Sequence, residues 1–223
     1  MGAQRLSVVV PALNEAAGIE RCLRALAPLR TRGHEVILVD GGSGDRTALL
    51  AAPLADRVIV APRGRAAQMN AGAAAASGDA LLFLHADTVL PPEADRMVLA
   101  ALADRAWGRF DVAIESGDAR LAVVGFCMNW RSRLTGIATG DQAIFVRRAK
   151  FPGFPAIALM EDVEFSKRMK PVSAPACLRA RVATSARRWE RRGVARTVFL
   201  MWRLRLLYWL GADPDELARR YPH

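Results

Sequence analysis

The chain has 223 residues, 52% hydrophobic and 24% charged, with a formal charge of +10, enough for one substantial core and one or two domains. The charge is uneven: residues 1–164 carry 18 basic and 18 acidic side chains, whereas residues 165–223 carry 14 basic against 4 acidic. This argues against a uniformly basic, polyanion-coating protein, and because 29 of the 32 basic residues are Arg, part of the excess reads as compositional bias. Cys22, Cys127 and Cys177 are too widely spaced for a disulfide framework or a metal knuckle. The first residues show no signal-peptide pattern. No segment reaches the ~18 uncharged apolar residues of a membrane span. A cytoplasmic location is expected. The most apolar stretch, Val194 to Leu210, contains Arg196, Arg203 and Arg205, so it is expected to lie on the inner face of a membrane, or in a homo-oligomer contact, and not to cross.

The first hundred residues alternate short β-branched apolar runs with helical patterns, the rhythm of an α/β fold with a mostly parallel, Rossmann-type sheet flanked by helices. Strands are predicted at Leu6–Val10, Glu35–Val39, Arg57–Val60 and Ala80–Leu84. Between them fall one helix with Ile19, Cys22, Leu23, Leu26 and Leu29 on a buried face, a second from about Asp45, and an Ala-rich third from Ala66 to Ser77. A fourth starts at Pro91-Pro92. Beyond Arg105 the rhythm changes: a strand at Trp107–Ile114, a helix at Ala119–Leu134, a strand at Gln142–Arg147, a Pro/Gly-rich loop at Phe151–Pro155 and a helix at Glu161–Met169. Residues 194–210 read as helix, with a short last helix after Asp213-Pro214. The expected division is a domain over 1–190, made of halves 1–105 and 106–190, and a C-terminal Arg-rich helical extension over 191–223.

Polar clusters follow three of the strands, on the rim where ligands of open α/β sheets bind. The first is Pro11-Ala12-Leu13-Asn14-Glu15, in which Asn14 is either a helix cap or part of a site. The second is Asp40-Gly41-Gly42-Ser43-Gly44-Asp45, whose glycines permit close backbone approach and whose Asp40 can accept a hydrogen bond. It is neither GxGxxG nor a Walker loop. A third cluster, Arg63-Gly64-Arg65 before the Ala-rich helix, suits a diphosphate, since guanidinium forks and free amides meet there at a positive dipole end. His85-Ala86-Asp87 closes the fourth strand and offers an oxygen ligand for Mg²⁺ or Mn²⁺.

VVVPALNE, VDGGSGDRT, GRAAQMNAG and FLHADT, in this order, resemble the nucleotide-binding half of family-2-type glycosyltransferases with the GT-A fold. Met160-Glu161-Asp162 is similar to their acceptor-side Glu-Asp motif, and Thr139-Gly140-Asp141-Gln142 to the loop before it. Within the family the chain most resembles short bacterial transferases associated with radical-SAM or selenium-related proteins. The resemblance implies a nucleotide-diphosphate sugar donor, with UDP favoured, an acceptor of unspecified kind, and no nucleic acid. Pro11, Ala12, Glu15 and Asp40 would line the nucleoside site, and Arg65 would approach the diphosphate. Asp87 matches the metal-binding acid of the family's Asp-x-Asp motif, whose first acid is here His85, a second potential ligand. Asp162 matches the general base of an inverting transfer. Glu161, Asp141 and Trp130 would stand on the acceptor side. Ser185-Ala186-Arg187-Arg188-Trp189 faintly resembles a Gln-x-x-Arg-Trp element, which brings Arg188, and with it Arg187, to the diphosphate.

Two other readings stand beside this one. LLFLHADTV is similar to a phosphatase signature, but that signature needs an Asp nucleophile where His85 stands. The Arg-rich segment 187–205 would alternatively suit a basic module for nucleic acid or anionic membrane.

Overall fold

In the computed structural model, which describes residues 4–220, β1 (Leu6–Ala12) is buried along its whole length. The chain continues through α1 (Ile19–Ala25), α2 (Ala27–Thr31), β2 (Glu35–Asp40), α3 (Thr47–Ala51), β3 (Arg57–Val60), α4 (Arg65–Ala75) and β4 (Ala80–Phe83). These four strands are parallel, in the order β3-β2-β1-β4. Strands covered on both faces need no polar side, which is why β1 and β2 read as nearly continuous apolar runs, the buried Ser7 and Glu35 bonding to each other at 2.6 Å. Their side chains alternate between two cores, Val8 and Val10 entering one, and Val9, Ile37 and Val39 the other. The register sets Ala12 beside Asp40, so both end at the carboxyl edge of the sheet.

The second half adds β5 (Thr88–Val89), α5 (Ala94–Asp104), β6 (Trp107–Glu115), α6 (Ala119–Thr135), β7 (Phe145–Arg147), α7 (Glu161–Met169), β8 (Ala176–Ser185), α8 (Arg187–Arg192), α9 (Val194–Trp209) and α10 (Pro214–Arg220). The complete sheet runs β3-β2-β1-β4-β7-β6-β8-β5. β7 is antiparallel to both its neighbours, β8 is parallel to β6, and β5 is antiparallel to β8.

Four details differ from the sequence expectations. The first helix is two, because Pro28 lacks the N–H that would continue it, yet Ile19, Leu23, Leu26 and Leu29 remain buried. β8 was not anticipated: Arg179 and Arg181 interrupt its apolar pattern, and only pairing with β6 makes it a strand. The two-residue β5 pairs with β8 and was not anticipated either. The strand expected from Gln142 begins at Phe145, since Gly140–Gln142 forms a 3₁₀ turn held by reciprocal bonds between Thr139 and Gln142. The expected boundary at residue 190 falls within α8. α9 packs Val198 and Met201 near Leu121 and Trp189, and Leu204 near Met160 and Leu217. Among the described residues no helix is long and apolar enough to cross a membrane.

Candidate active site

The loops after β1 and β2 are tied together at the carboxyl edge. Asn14, at φ 54, accepts from the Gly44 amide at 2.9 Å and donates its own amide to Ser43 at 2.9 Å. It joins two loops and caps no helix: α1 starts from Gly18 without a side-chain cap. Asp40 is 4% exposed, and its Oδ2 accepts from the Gly42 and Ser43 amides at 3.1 and 2.9 Å, so it holds the glycine turn in shape. Gln68, which stands in the GRAAQMNAG motif but receives no role from it, reaches from α4 to donate to the carbonyls of Ala12 and Val39 at 2.8 and 2.9 Å. It fixes the two strand ends against each other beneath the rim, and a lone Gln in an Ala-rich helix gives no local sign of that.

Around Asp87 the charges are arranged by a residue far away in sequence. Arg187, the first residue of α8, places Nη2 2.9 Å from Glu15 Oε2 and 3.9 Å from Asp87 Oδ2. The two acids expected at the donor site therefore share one cation. The Arg188 side chain lies outside the described residues.

His85 points the other way. Its Nδ1 is 3.2 Å from Asp141 Oδ1, while Nε2 is buried without a hydrogen-bond partner against the backbone of Gly140, where a Cβ would come within 2.5 Å. Both ring nitrogens of His85 thus face the Gly140-Asp141 turn, while a metal position for it beside Asp87 is only an expectation of the sequence. Among the described residues no three His, Cys, Asp or Glu side chains gather as a metal centre. A divalent ion that also takes diphosphate oxygens requires only one or two protein carboxylates, which Asp87 at the rim satisfies. The phosphatase reading loses its nucleophile at the same position, since His85 is held in place by Asp141.

The second pair of acids begins α7. Met160, at φ 71, turns the chain into the helix. Asp162 Oδ2 then accepts from the Gly140 amide at 2.9 Å, and Oδ1 from the Val163 amide at 2.7 Å. Glu161 is 5% exposed, and burial, followed by the charge of Asp162, pushes its carboxyl up to about 7. Arg65, on the first turn of α4, comes 4.0 Å from Glu161. Its guanidinium thus stands between the expected diphosphate site and this second pair of acids. His85, Glu161 and Asp162 share a small cavity with Met69, Phe83 and Phe154. A separate cleft brings Asp87 and Asp141 together with Met128, Thr184 and Trp189.

Two further residues receive no role from the sequence, although Asn70 stands in the GRAAQMNAG motif. Asn70 exchanges hydrogen bonds with the Phe154 backbone, both 2.8 Å, and so fastens the loop over the cavity to α4. Arg131, on α6, buries Nε and Nη2 without hydrogen-bond partners; desolvation and Arg205 lower its pKa to about 10, while Asp162 opposes the shift. Trp130, expected on the acceptor side, instead turns outward on α6 with its ring 6.2 Å from Phe126, and it lines neither cavity.

The chain is 38% identical over 108 residues to a PGL/p-HBAD biosynthesis glycosyltransferase of Mycobacterium tuberculosis, covering 45% of this chain and 42% of that one. It thus spans less than half the length of this curated relative. Its fold is similar to that of S. aureus TarS 1-349 in complex with UDP-GlcNAc, with a TM-score of 0.67 at 19% identity, over 81% of this chain and 58% of that one. It is also similar to glucosyl-3-phosphoglycerate synthase from Mycobacterium tuberculosis, solved with Mn²⁺, UDP and glucosyl-3-phosphoglycerate, with a TM-score of 0.62 at 21% identity, over 82% and 72%. The architecture is that of GT-A glycosyltransferases. The family model described as glycosyl transferase family 2 matches residues 7–147, more than half of the sequence and all of the rim motifs from Pro11 to Asp141, and the chain belongs to that family.

Proposed function

We propose that the protein is an inverting, divalent-metal-dependent glycosyltransferase that moves a sugar from a nucleotide-diphosphate donor, a UDP-sugar, to an acceptor nucleophile. One observation carries the reading: Asp87 and Asp162 line two clefts that meet at the His85–Asp141 pair. Glu15 and Asp87 share the Arg187 cation, as a site for a polyanionic leaving group requires. Asp162 has both carboxylate oxygens oriented by backbone amides, from Gly140 and Val163, and lines the small cavity with His85. The UDP-GlcNAc and Mn²⁺–UDP complexes of the two similar structures support the donor class. The resemblance to the short bacterial subgroup rests on the motifs alone and adds no substrate.

In this reading Pro11, Ala12, Glu15 and Asp40 form the nucleoside pocket, and Arg65, Arg187 and Arg188 receive the diphosphate. Asp87 would hold Mn²⁺ or Mg²⁺, which when bound neutralises charge on the leaving diphosphate. Asp162 removes the acceptor proton as the nucleophile attacks the anomeric carbon and the bond to the diphosphate oxygen breaks, with inversion. Burial and the neighbouring Asp162 hold the Glu161 carboxyl up to about 7, so that it is about half protonated at neutrality. Asp141 positions His85 between the two halves. Trp130 takes no part in this arrangement.

A thermal-shift panel of UDP-, GDP- and dTDP-sugars with Mn²⁺, Mg²⁺ or chelator tests the reading. Stabilisation by a UDP-sugar that requires metal is expected; no metal-dependent shift with any nucleotide sugar overturns it. Asp87→Ala removes the metal-dependent part of the shift. Asp162→Asn keeps the shift, because an amide oxygen still accepts from Gly140, but slows UDP release from the donor by roughly 100- to 10,000-fold. Undiminished turnover in that variant would show that the base lies elsewhere.

A further inference from the structure

α6 and α9 pack on one buried cluster of Ile114, Leu121, Ala186 and Trp189, through Val124 and Met128 on one helix and Val194, Val198 and Met201 on the other. Each turns a second, large apolar face to solvent. On α9, Phe199, Trp202, Leu206 and Trp209 are 56–79% exposed, and Leu210 continues the stripe at 66%. Their spacing of three, four and three residues follows one side of a helix. On α6, Phe126, Trp130 and Leu134 are 49–78% exposed along a similar line. Scattered exposed apolar residues are ordinary on a protein surface, whereas a stripe of large ones on each of two helices seated on the same core cluster is a surface made to be covered.

The charges select what covers it. The two helices together contain six Arg and no Asp or Glu. Arg120 and Arg133 are paired with Asp118 and Asp111, and Arg131 buries Nε and Nη2. Arg196 and Arg203 are exposed, make no ion pair among the described residues, and lie on the flank of the α9 stripe, one turn from Phe199 and Leu206. A symmetric dimer through this face would set arginines against arginines with no acid in either helix to receive them. A nucleic-acid face would meet the cations but leave Leu206, Leu210 and Leu134 with nothing apolar to bury against. An anionic bilayer satisfies both: the apolar side chains enter the acyl boundary, the Trp rings sit at headgroup level, and the Arg side chains reach lipid phosphates.

We propose that the α6–α9 face is a docking surface for an anionic lipid bilayer, on which the protein lies without crossing. The surface itself is independent of the donor assignment.

The test is flotation of the full chain with vesicles of phosphatidylcholine alone or mixed with phosphatidylglycerol, alongside tryptophan emission. Binding to the anionic vesicles, with a blue-shifted emission and little binding to phosphatidylcholine alone, is expected. The double variant F199D/L206D and the double variant R196Q/R203Q should each lower partitioning by about tenfold or more. The far-UV circular dichroism and Tm of both variants should match those of the native chain, which shows that they fold whatever donor the active site takes. The proposal fails if the vesicles do not bind, or if binding survives both double variants. It also fails if F199D/L206D instead dissolves a dimer seen in equilibrium sedimentation, or if an RNA or DNA oligomer binds this face in preference to the anionic vesicles.

Discussion

Glu161 shows how a single side chain can report on the site. Its carboxyl stands at about 7, above the ordinary 4.5, because burial removes water from it and Asp162 adds a like charge, against the weaker pull of Arg65. With the folded value raised, its contribution to stability is complete below about 4.5 and is lost as pH rises through about 7. Glu161→Gln removes that dependence. Between those two pH values the Tm of the native chain should fall relative to that of the variant, and a constant difference across the window would show that Glu161 is not protonated in the fold. Asp162, one residue along, instead has its two oxygens accepting from the Gly140 and Val163 amides. Neighbouring acids in one motif thus acquire different surroundings from backbone placement.

The element that sets the rim is α4, which carries Arg65 and Asn70 to the site and Gln68 beneath the strand ends. Its seat on the sheet depends on Gly72, where a Cβ would lie 2.3 Å from Val9 Cγ1 and 2.9 Å from Val39 Cγ2. Both valines are fully buried and stiff at χ1. Ala is the better helix former by about 1 kcal/mol, but relieving the overlap costs about 1–3 kcal/mol. Gly72→Ala should therefore destabilise on balance, lowering Tm by a few degrees, and shift Arg65 away from Glu161; a Tm equal to or above that of the native chain would mean that the helix lifts without strain. The same helix fastens the Phe151–Pro155 loop through Asn70, so donor-side and acceptor-side loops share one rigid support.

At the scale of the molecule, the C-terminal helices couple the Arg-rich end to the catalytic half. α8 delivers Arg187 to Glu15 and Asp87, and Tyr208 on α9 donates to Glu164 on α7 at 2.9 Å. α9 and α10 bury Leu204 and Leu217 beside Met160, the residue that turns the chain into α7. Fully burying a Leu stabilises by about 1.5–3 kcal/mol. Truncation after Gly193 should therefore cost at least ~3 kcal/mol, a fall in Tm on the order of 10 °C for a domain of this size. A truncated chain with unchanged Tm would show that these helices merely rest on the domain. The charge excess of residues 165–223 then divides into Arg187 at the site, Arg196 and Arg203 on the exposed face, and paired surface arginines such as Arg220 with Glu216.

The amino-acid sequence by itself determined the four parallel strands, the rim, and the residues at its edge. Buried parallel strands must be apolar nearly throughout, and the turns that leave them must be small or polar, so both signals are local. Tertiary structure alone decided which rim residues meet. Arg187 reaches Glu15 across 172 positions, His85 pairs with Asp141 and turns away from Asp87, β8 exists through its partner β6, and Trp130 faces outward because the opposite side of α6 packs on the sheet. Each of these is a contact between segments distant along the chain, set by packing and charge pairing that no local pattern of residues records.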